Sequence, residues 1–154
     1  MKKILFGAAF CGAMMFMAVG AQAQFRSVPA MVTDSFKAKY PGASAVTWTD
    51  KLLAGGFQAS FTEGKEKFDA RFGNKGEWQW SSKKIAKDAI PGPVRDGLSK
   101  SKYAGADWEV KTVTMKFLPG NIVQYILFVE KSDLNKKNLL FSSEGQLLRD
   151  GATL

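Results

Sequence analysis

Two stretches decide how the rest of the chain is read: VPAMVTDSFKAKYPGA at residues 28–43 and IPGPVRDGLSKSKYAGA at residues 90–106. In the first, Val28, Val32 and Phe36 recur at every fourth position; in the second, Ile90, Val94 and Leu98 do the same. That spacing lays three apolar side chains along one stripe of a helix. Pro29 and Pro91 stand in the first turn, where a missing N–H costs nothing. Each stretch then stops at a Lys-Tyr-x-Gly-Ala sequence (Lys39-Tyr40-Pro41-Gly42-Ala43 and Lys102-Tyr103-Ala104-Gly105-Ala106), the glycine suiting a left-handed C-terminal cap. The copies are offset by 62 residues at the helix start and 63 at the stop.

Farther along, the copies stay in step. Asp69 to Trp78 aligns with Asn138 to Leu147, each reading as a strand, a polar turn closed by Gly76 or Gly145, and another strand. Two further strand-like runs lie between helix and hairpin in each half: Ala45 to Asp50 and Phe57 to Thr62 around Gly55-Gly56, then Trp108 to Leu118 and Ile122 to Val129 around Pro119-Gly120-Asn121. The expected fold class is therefore α+β, with two tandem repeats, each a helix packed on a four-stranded antiparallel sheet. The expected division is 1–23 as a leader, 24–87 as the first unit and 88–154 as the second.

Alternation assigns faces. Val46 with Trp48, Phe57 with Phe61, Phe68 with Phe72 and Trp78 with Trp80 are two or four apart, which predicts that each pair shares the face the helix covers. Residues 122–129, IVQYILFV, are apolar on both faces. Such a strand is either central in a continuous sheet or a surface for a second copy of the chain. A unit of about 60 residues without disulfides or metals is marginal alone, which favours two units sharing a core over a homodimer through 122–129.

The first residues bear on compartment. Lys2 and Lys3 precede an uncharged apolar run from Ile4 to Val19, and Ala21-Gln22-Ala23 has the small-x-small form of a signal-peptidase site. This predicts export to the periplasm or beyond, with Gln24 as the first mature residue and no membrane-spanning segment. Cys11 follows Phe10, too bulky for a lipoprotein site, and would leave with the leader, so the mature chain can form no disulfide. Losing Lys2 and Lys3 from 22 basic residues, against 14 acidic ones, leaves a net charge of +6. The lysines, among them Lys83, Lys84, Lys87, Lys100, Lys102, Lys136 and Lys137, are scattered and not set on one helix, so nucleic acid is not the expected partner.

Catalytic chemistry has few carriers here. The chain has no histidine and the mature part no cysteine, which removes the usual proton shuttle, the thiol nucleophile and nearly every zinc, haem or iron–sulfur site. Ser81-Ser82-Lys83-Lys84 contains Ser-x-x-Lys, but no Ser-Asp-Asn exists and Lys111-Thr112-Val113 lacks the glycine of its companion element. Asp133-Leu134-Asn135 with Glu144 resembles a calcium loop only faintly, since Lys137 and Asn138 occupy its fifth and sixth positions. Glu63/Glu66 and Asp107/Glu109 would serve hydrolysis only if each pair converged on a cleft. Trp48, Trp78, Trp80 and Trp108 read mainly as core; Trp80, last on its strand beside Lys83 and Lys84, is the best placed for exposure.

The leader ending in AQAQ, then VPAMVTDSFKAKYPGASAVTW, FDARFGNKGEWQW, and the second copy from IPGPVRDGLSKSKYAGADW to LLFSSEGQLL resemble the PepSY-like, β-lactamase-inhibitor-like family of small periplasmic proteins over about Val28 to Asp150. The resemblance implies a tandem α+β unit and a non-enzymatic role, inhibiting or binding a peptide, peptidase or other envelope protein, with no cofactor. It transfers no inhibitory residue, and the family's usual disulfides are missing, which argues against β-lactamase as the target. The candidate partner surface comprises Trp80, Lys83 and Lys84 with the turns at Gly55, Gly56, Pro119, Gly120 and Asn121. A carrier for envelope glycan or lipid is the second expectation, and a carboxylate or Ser/Lys hydrolase the third.

Overall fold

The computed structural model describes residues 26–152, so the expected leader lies outside the described residues. The chain runs α1 (Ala30–Lys39), β1 (Ala43–Asp50), β2 (Phe57–Glu63), β3 (Glu66–Phe72), β4 (Trp78–Ile85), α2 (Gly92–Ser99), β5 (Glu109–Leu118), β6 (Ile122–Ser132), β7 (Asn135–Ser142) and β8 (Leu147–Ala152). All eight strands form one antiparallel sheet whose spatial order is the sequence order.

This corrects the expected fold class. There are not two units of one helix on a four-stranded sheet; the protein is mostly β, one continuous sheet carrying two short helices. The joint is the pairing of β4 with β5, from Ser81 opposite Phe117 to Ile85 opposite Val113. Two separate sheets would each expose an unpaired row of N–H and C=O groups at that point, and joining them satisfies both rows. β6 accordingly lies inside the sheet, paired on both sides, so its backbone is closed to a second copy.

Both helices lie on one face. Beneath α1, Val32 and Phe36 pack on Phe57, Ala59, Phe61, Ala70 and Phe72. Beneath α2, Ile90 and Val94 join Tyr103, Val113, Tyr125, Leu127, Val129, Leu139 and Phe141. A notch of about 390 Å³, lined by Lys39, Tyr40, Trp78, Phe117 and Ile122 among others, separates the two cores.

The helix ends depart from expectation. α1 stops at Lys39 with the Tyr40 N–H bonded to the Phe36 carbonyl, and α2 already stops at Ser99. Neither Gly42 nor Gly105 takes a left-handed φ. The glycines that matter to helix docking are in the turns. Gly76 (φ +85°) lies under α1, where a Cβ would meet the Met31 carbonyl and Ser35 Oγ. Gly145 (φ +85°) lies under α2, where a Cβ would meet the Pro93 carbonyl; a Cβ on Gly97 would in turn meet the Gly145 carbonyl. A turn glycine thus lets backbone approach backbone under both helices, and in the second half a glycine of the helix itself does so too.

Two tyrosines tie the segments after the helices to the sheet. Tyr40 hydrogen-bonds Ser81 on β4, whose Oγ also accepts from Trp78 Nε1 at 2.7 Å. Tyr103 donates to Asp150 on β8 at 2.5 Å, and Lys102 reaches the same carboxylate oxygen at 2.7 Å.

Candidate functional site

With both helices on one face, the other face of the sheet is left uncovered by the described residues, and the register fixes which side chains it presents. Across β1 to β5, pairing places Thr47, Ser60, Asp69, Ser82 and Lys116 in one row, with Thr62, Lys67, Lys84 and Thr114 in the next. Across β5 to β8, Thr114 faces Ile126, then Leu140 and Arg149; Phe128 faces Asn138. The first half of this face is polar and the second half apolar at its centre.

A β-bulge puts one of the four tryptophans, Trp80, here. Phe72 pairs with Trp78 but Arg71 pairs with Trp80, leaving Gln79 as an extra residue. One inserted residue reverses the alternation. Trp78 therefore points to the helix side, where Lys39 Nζ sits 3.6 Å from its ring centre, while Trp80 points to the uncovered face. The expectation that Trp78 and Trp80 share a face is corrected by this bulge. Trp48 and Trp108 pack with the cores, edge-on to Phe36 at 5.2 Å and to Tyr103 at 5.1 Å.

The same device recurs at the far edge. Phe141 pairs with Leu147 and Leu140 with Arg149, so Leu148 is the extra residue and Arg149 turns to the uncovered face. Between the two bulges stands Lys116, half-buried, its Nζ 5.1 Å from the Trp80 ring centre. Burial, with the Arg149 guanidinium nearby, pushes the Lys116 ammonium below the usual lysine range.

At one end of the face, the loop between β1 and β2 carries a 3-10 turn, Leu52–Ala54, that leaves Leu52 and Leu53 73% and 107% exposed. The loop is held from below. Arg71, buried, donates Nη2 to the Gly55 carbonyl at 2.6 Å and Nε to Gln79 Oε1 at 3.2 Å. Arg26 adds bonds of 3.1 and 3.0 Å to Asp50 and one of 3.1 Å to Asn74. The Pro119-Gly120-Asn121 turn caps the β5–β6 hairpin at this same end, four strand spacings or roughly 19 Å away. Toward the other end lies an open hollow of about 760 Å³, whose lining includes Thr47, Ser60, Asp69, Ser82 and Lys84; Asp69 there accepts bonds from Ser60 and Gln58.

The sequence-derived candidates thus separate. Trp80 and Lys84 lie on the uncovered face, and the Gly55-Gly56 and Pro119-Gly120-Asn121 turns rim one end of it. Lys83 lies on the helix side, opposite Met115, and pairs with Glu66 at 2.6 Å. Lys116, Arg149, Ile126, Phe128, Leu140 and the two exposed leucines were not singled out by sequence reasoning. The apolar double face of 122–129 was the signal for Ile126 and Phe128.

Glu63 and Glu66 stand opposite each other across the β2–β3 hairpin, with Glu66 paired to Lys83 at 2.6 Å; the Ser/Lys pair is split, and Asp107 and Glu109 are each taken up by lysines. Ser81 and Lys84, three apart on a strand, point to opposite faces, and Ser81 is buried against Tyr40 and Trp78. Asp107 is paired with Lys131 at 2.8 Å, and Glu109 with Lys111 and Lys87; these bonds hold both carboxyls below the usual range. Asp133 sits in the β6–β7 turn and Glu144 in the β7–β8 turn at the opposite end of β7, so no calcium loop exists. Among the described residues no three acidic, His or Cys side chains gather as a metal site, and no helix is long and apolar enough to cross a membrane.

No protein-family model matches the chain, and no curated protein matches it. Solved structures do. A BLIP-like protein from Bacteroides fragilis superposes with a TM-score of 0.72 at 22% identity, covering 83% of this chain and 88% of that one. A DUF2874 family protein from Bacteroides ovatus gives 0.73 at 24% identity over 82% and 88% of the two chains. A protein from Bacteroides eggerthii assigned to the periplasm gives 0.71 at 23% identity over 82% and 89%. These neighbours support the β-lactamase-inhibitor-like side of the resemblance as a fold; none of the three is described as PepSY-like.

Proposed function

We propose that the protein is an exported, non-enzymatic binding module that engages a protein of the cell envelope through the uncovered face of its sheet. One observation carries this reading: the face opposite both helices presents Trp80, Ile126, Phe128 and Leu140 half-buried, with no element of the described residues above them. An apolar centre ringed by polar and charged side chains is the anatomy of a recognition surface. Leu52 and Leu53, on a loop fixed by Arg71, supply projecting anchors at its rim. The similarity in fold to BLIP-like and periplasm-assigned proteins supports the class and the compartment. The homodimer weighed from the sequence would now have to form face to face through Ile126 and Phe128.

Position-specific photo-crosslinking in the native envelope tests this. A crosslinker at Leu53 and one at Gln124, both bordering the face, should trap the same saturable protein adduct, and one at Lys37 on α1 should trap none. Adducts of equal yield from all three positions, or adducts from Lys37 alone, would reject the uncovered face as the partner surface. Adducts only to a second copy would replace the envelope partner with self-association.

A further inference from the structure

We infer that the partner lays an acidic segment along the strip Lys84–Lys116–Arg149, with its carboxylates on these cations and its apolar side chains on Ile126, Phe128 and Leu140; this rests on the binding-module reading above. Two observations converge on it.

The first is the distribution of ion pairs. Arg26, Lys83, Lys87, Lys102, Lys111 and Lys131 each have a carboxylate within 3.4 Å, and none of them projects from the centre of the uncovered face. Lys67, Lys84, Lys116 and Arg149 project from it, and none makes an ion pair with a described residue. Lys136 with Glu130, at 3.5 Å, is the face's own pair and lies at its far end. Asp69 and Glu109, the latter opposite Glu130, are the other carboxylates that the register places there; Ser60 and Gln58 already occupy the first, and Lys111 and Lys87 the second. The face therefore keeps a surplus of positive charge that the fold does not neutralise.

The second observation is the position of Lys116. It is the half-buried one of the four, enclosed by Trp80 and close enough to Arg149 for the two cations to repel. Removing an ammonium from water beside a like charge is costly, and a facing anion reverses that cost. A ligand carboxylate is the missing partner by charge complementarity. The apolar centre next to the strip makes a purely polyanionic ligand a poor match, because Ile126, Phe128 and Leu140 would stay wet. Acidic and apolar groups spaced along one chain are what an extended acidic protein segment offers.

The test uses the purified protein and two fluorescein-labelled peptides of equal length, one alternating glutamate with apolar residues and the other with glutamine at each glutamate position. Fluorescence anisotropy should show the glutamate peptide bound at least tenfold more tightly, the difference shrinking as salt is raised. The triple variant K84Q/K116Q/R149Q should lose that tenfold, whereas K37Q/K75Q/K100Q, with the same loss of charge elsewhere, should keep it. Circular dichroism of both variants verifies the fold. Equal losses in the two variants would reduce the effect to net charge and overturn the inference. Equal binding of both peptides, abolished by replacing Trp80 and Phe128 with alanine, would overturn the acidic segment while leaving the binding module standing. No peptide binding, with capture instead of polygalacturonate or of phosphatidylglycerol vesicles, would overturn both.

Discussion

The two halves of the sheet hold their helices by different physics. Under α1 a single side chain does most of the anchoring: the Phe36 ring meets Tyr40, Trp48, Phe61 and Phe72 at centroid distances of 5.5, 5.2, 5.0 and 6.0 Å. Under α2 the corresponding position is Leu98, half-buried and with no ring of its own to set edge-on against its neighbours. The second helix comes closer instead, because Gly97 replaces Ser35 and lets its backbone meet the Gly145 carbonyl. A knob in a ring of aromatics tolerates distance; a glycine contact requires its removal. Short helices of ten and eight residues cannot hold themselves together in water, so each half needs one of these solutions.

The largest difference between the halves is expected at Phe36. Phe36→Ala should cost about 3–5 kcal/mol, read as a lowered urea midpoint, and Leu98→Ala clearly less. If the two costs are equal, the first helix is not held by its aromatic knob. The next effect should reverse the halves. Gly97→Ala forces a methyl into the Gly145 carbonyl and should cost about 1–3 kcal/mol, whereas Ser35→Ala should stay within about 0.5 kcal/mol. A silent Gly97→Ala in a thermal melt would show that α2 can ride higher on the sheet.

The tyrosines sharpen the contrast further. Ser81 is inside the sheet and neutral; Asp150 is at its edge and charged, with its carboxyl lowered to about 2 by the Lys102 ammonium and the Tyr103 hydroxyl. Tyr40→Phe should cost about 1 kcal/mol at any pH below tyrosine ionisation, since Ser81 keeps its bond from Trp78. The Asp150 contribution is smaller and depends on acid. Its folded-state value lies below the ordinary 3.8, so its stabilisation is complete above about pH 4 and fades as pH falls toward 2. Asp150→Asn should remove that part of the acid dependence in pH-resolved melts, and Ser81→Ala should leave it in place.

What the sequence made legible were the elements; what it hid were the faces. Pro29 and Pro91, the fourfold apolar spacing and the turn glycines located both helices and all eight strands to within a few residues. The joining of β4 to β5 was hidden, because Ser81 to Ile85 is polar at most positions and its pairing is repaid by backbone bonds that leave no side-chain pattern. The bulges at Gln79 and Leu148 were hidden for the same reason, since an extra residue is defined only against the partner strand. The first bulge moves Trp80 from the face expected to be covered to the uncovered one, and the second turns Arg149, which no sequence pattern marked, to the same side. Lys116 could be found only after β5 had been placed between them.

The strand order has one more consequence. Each strand pairs with the one just before it, and only the passage through α2 between β4 and β5 lengthens a connection. A chain that appears N-terminus first therefore finds every partner already present, and no strand has to wait for a later one. Contacts this local in sequence favour fast assembly for a β protein, with successive hairpins closing in microseconds. The sheet grows at one edge only, which the next few residues to arrive cover, so little time is left for that edge to find a neighbouring molecule; the outer edge of β1 is the one that stays open throughout.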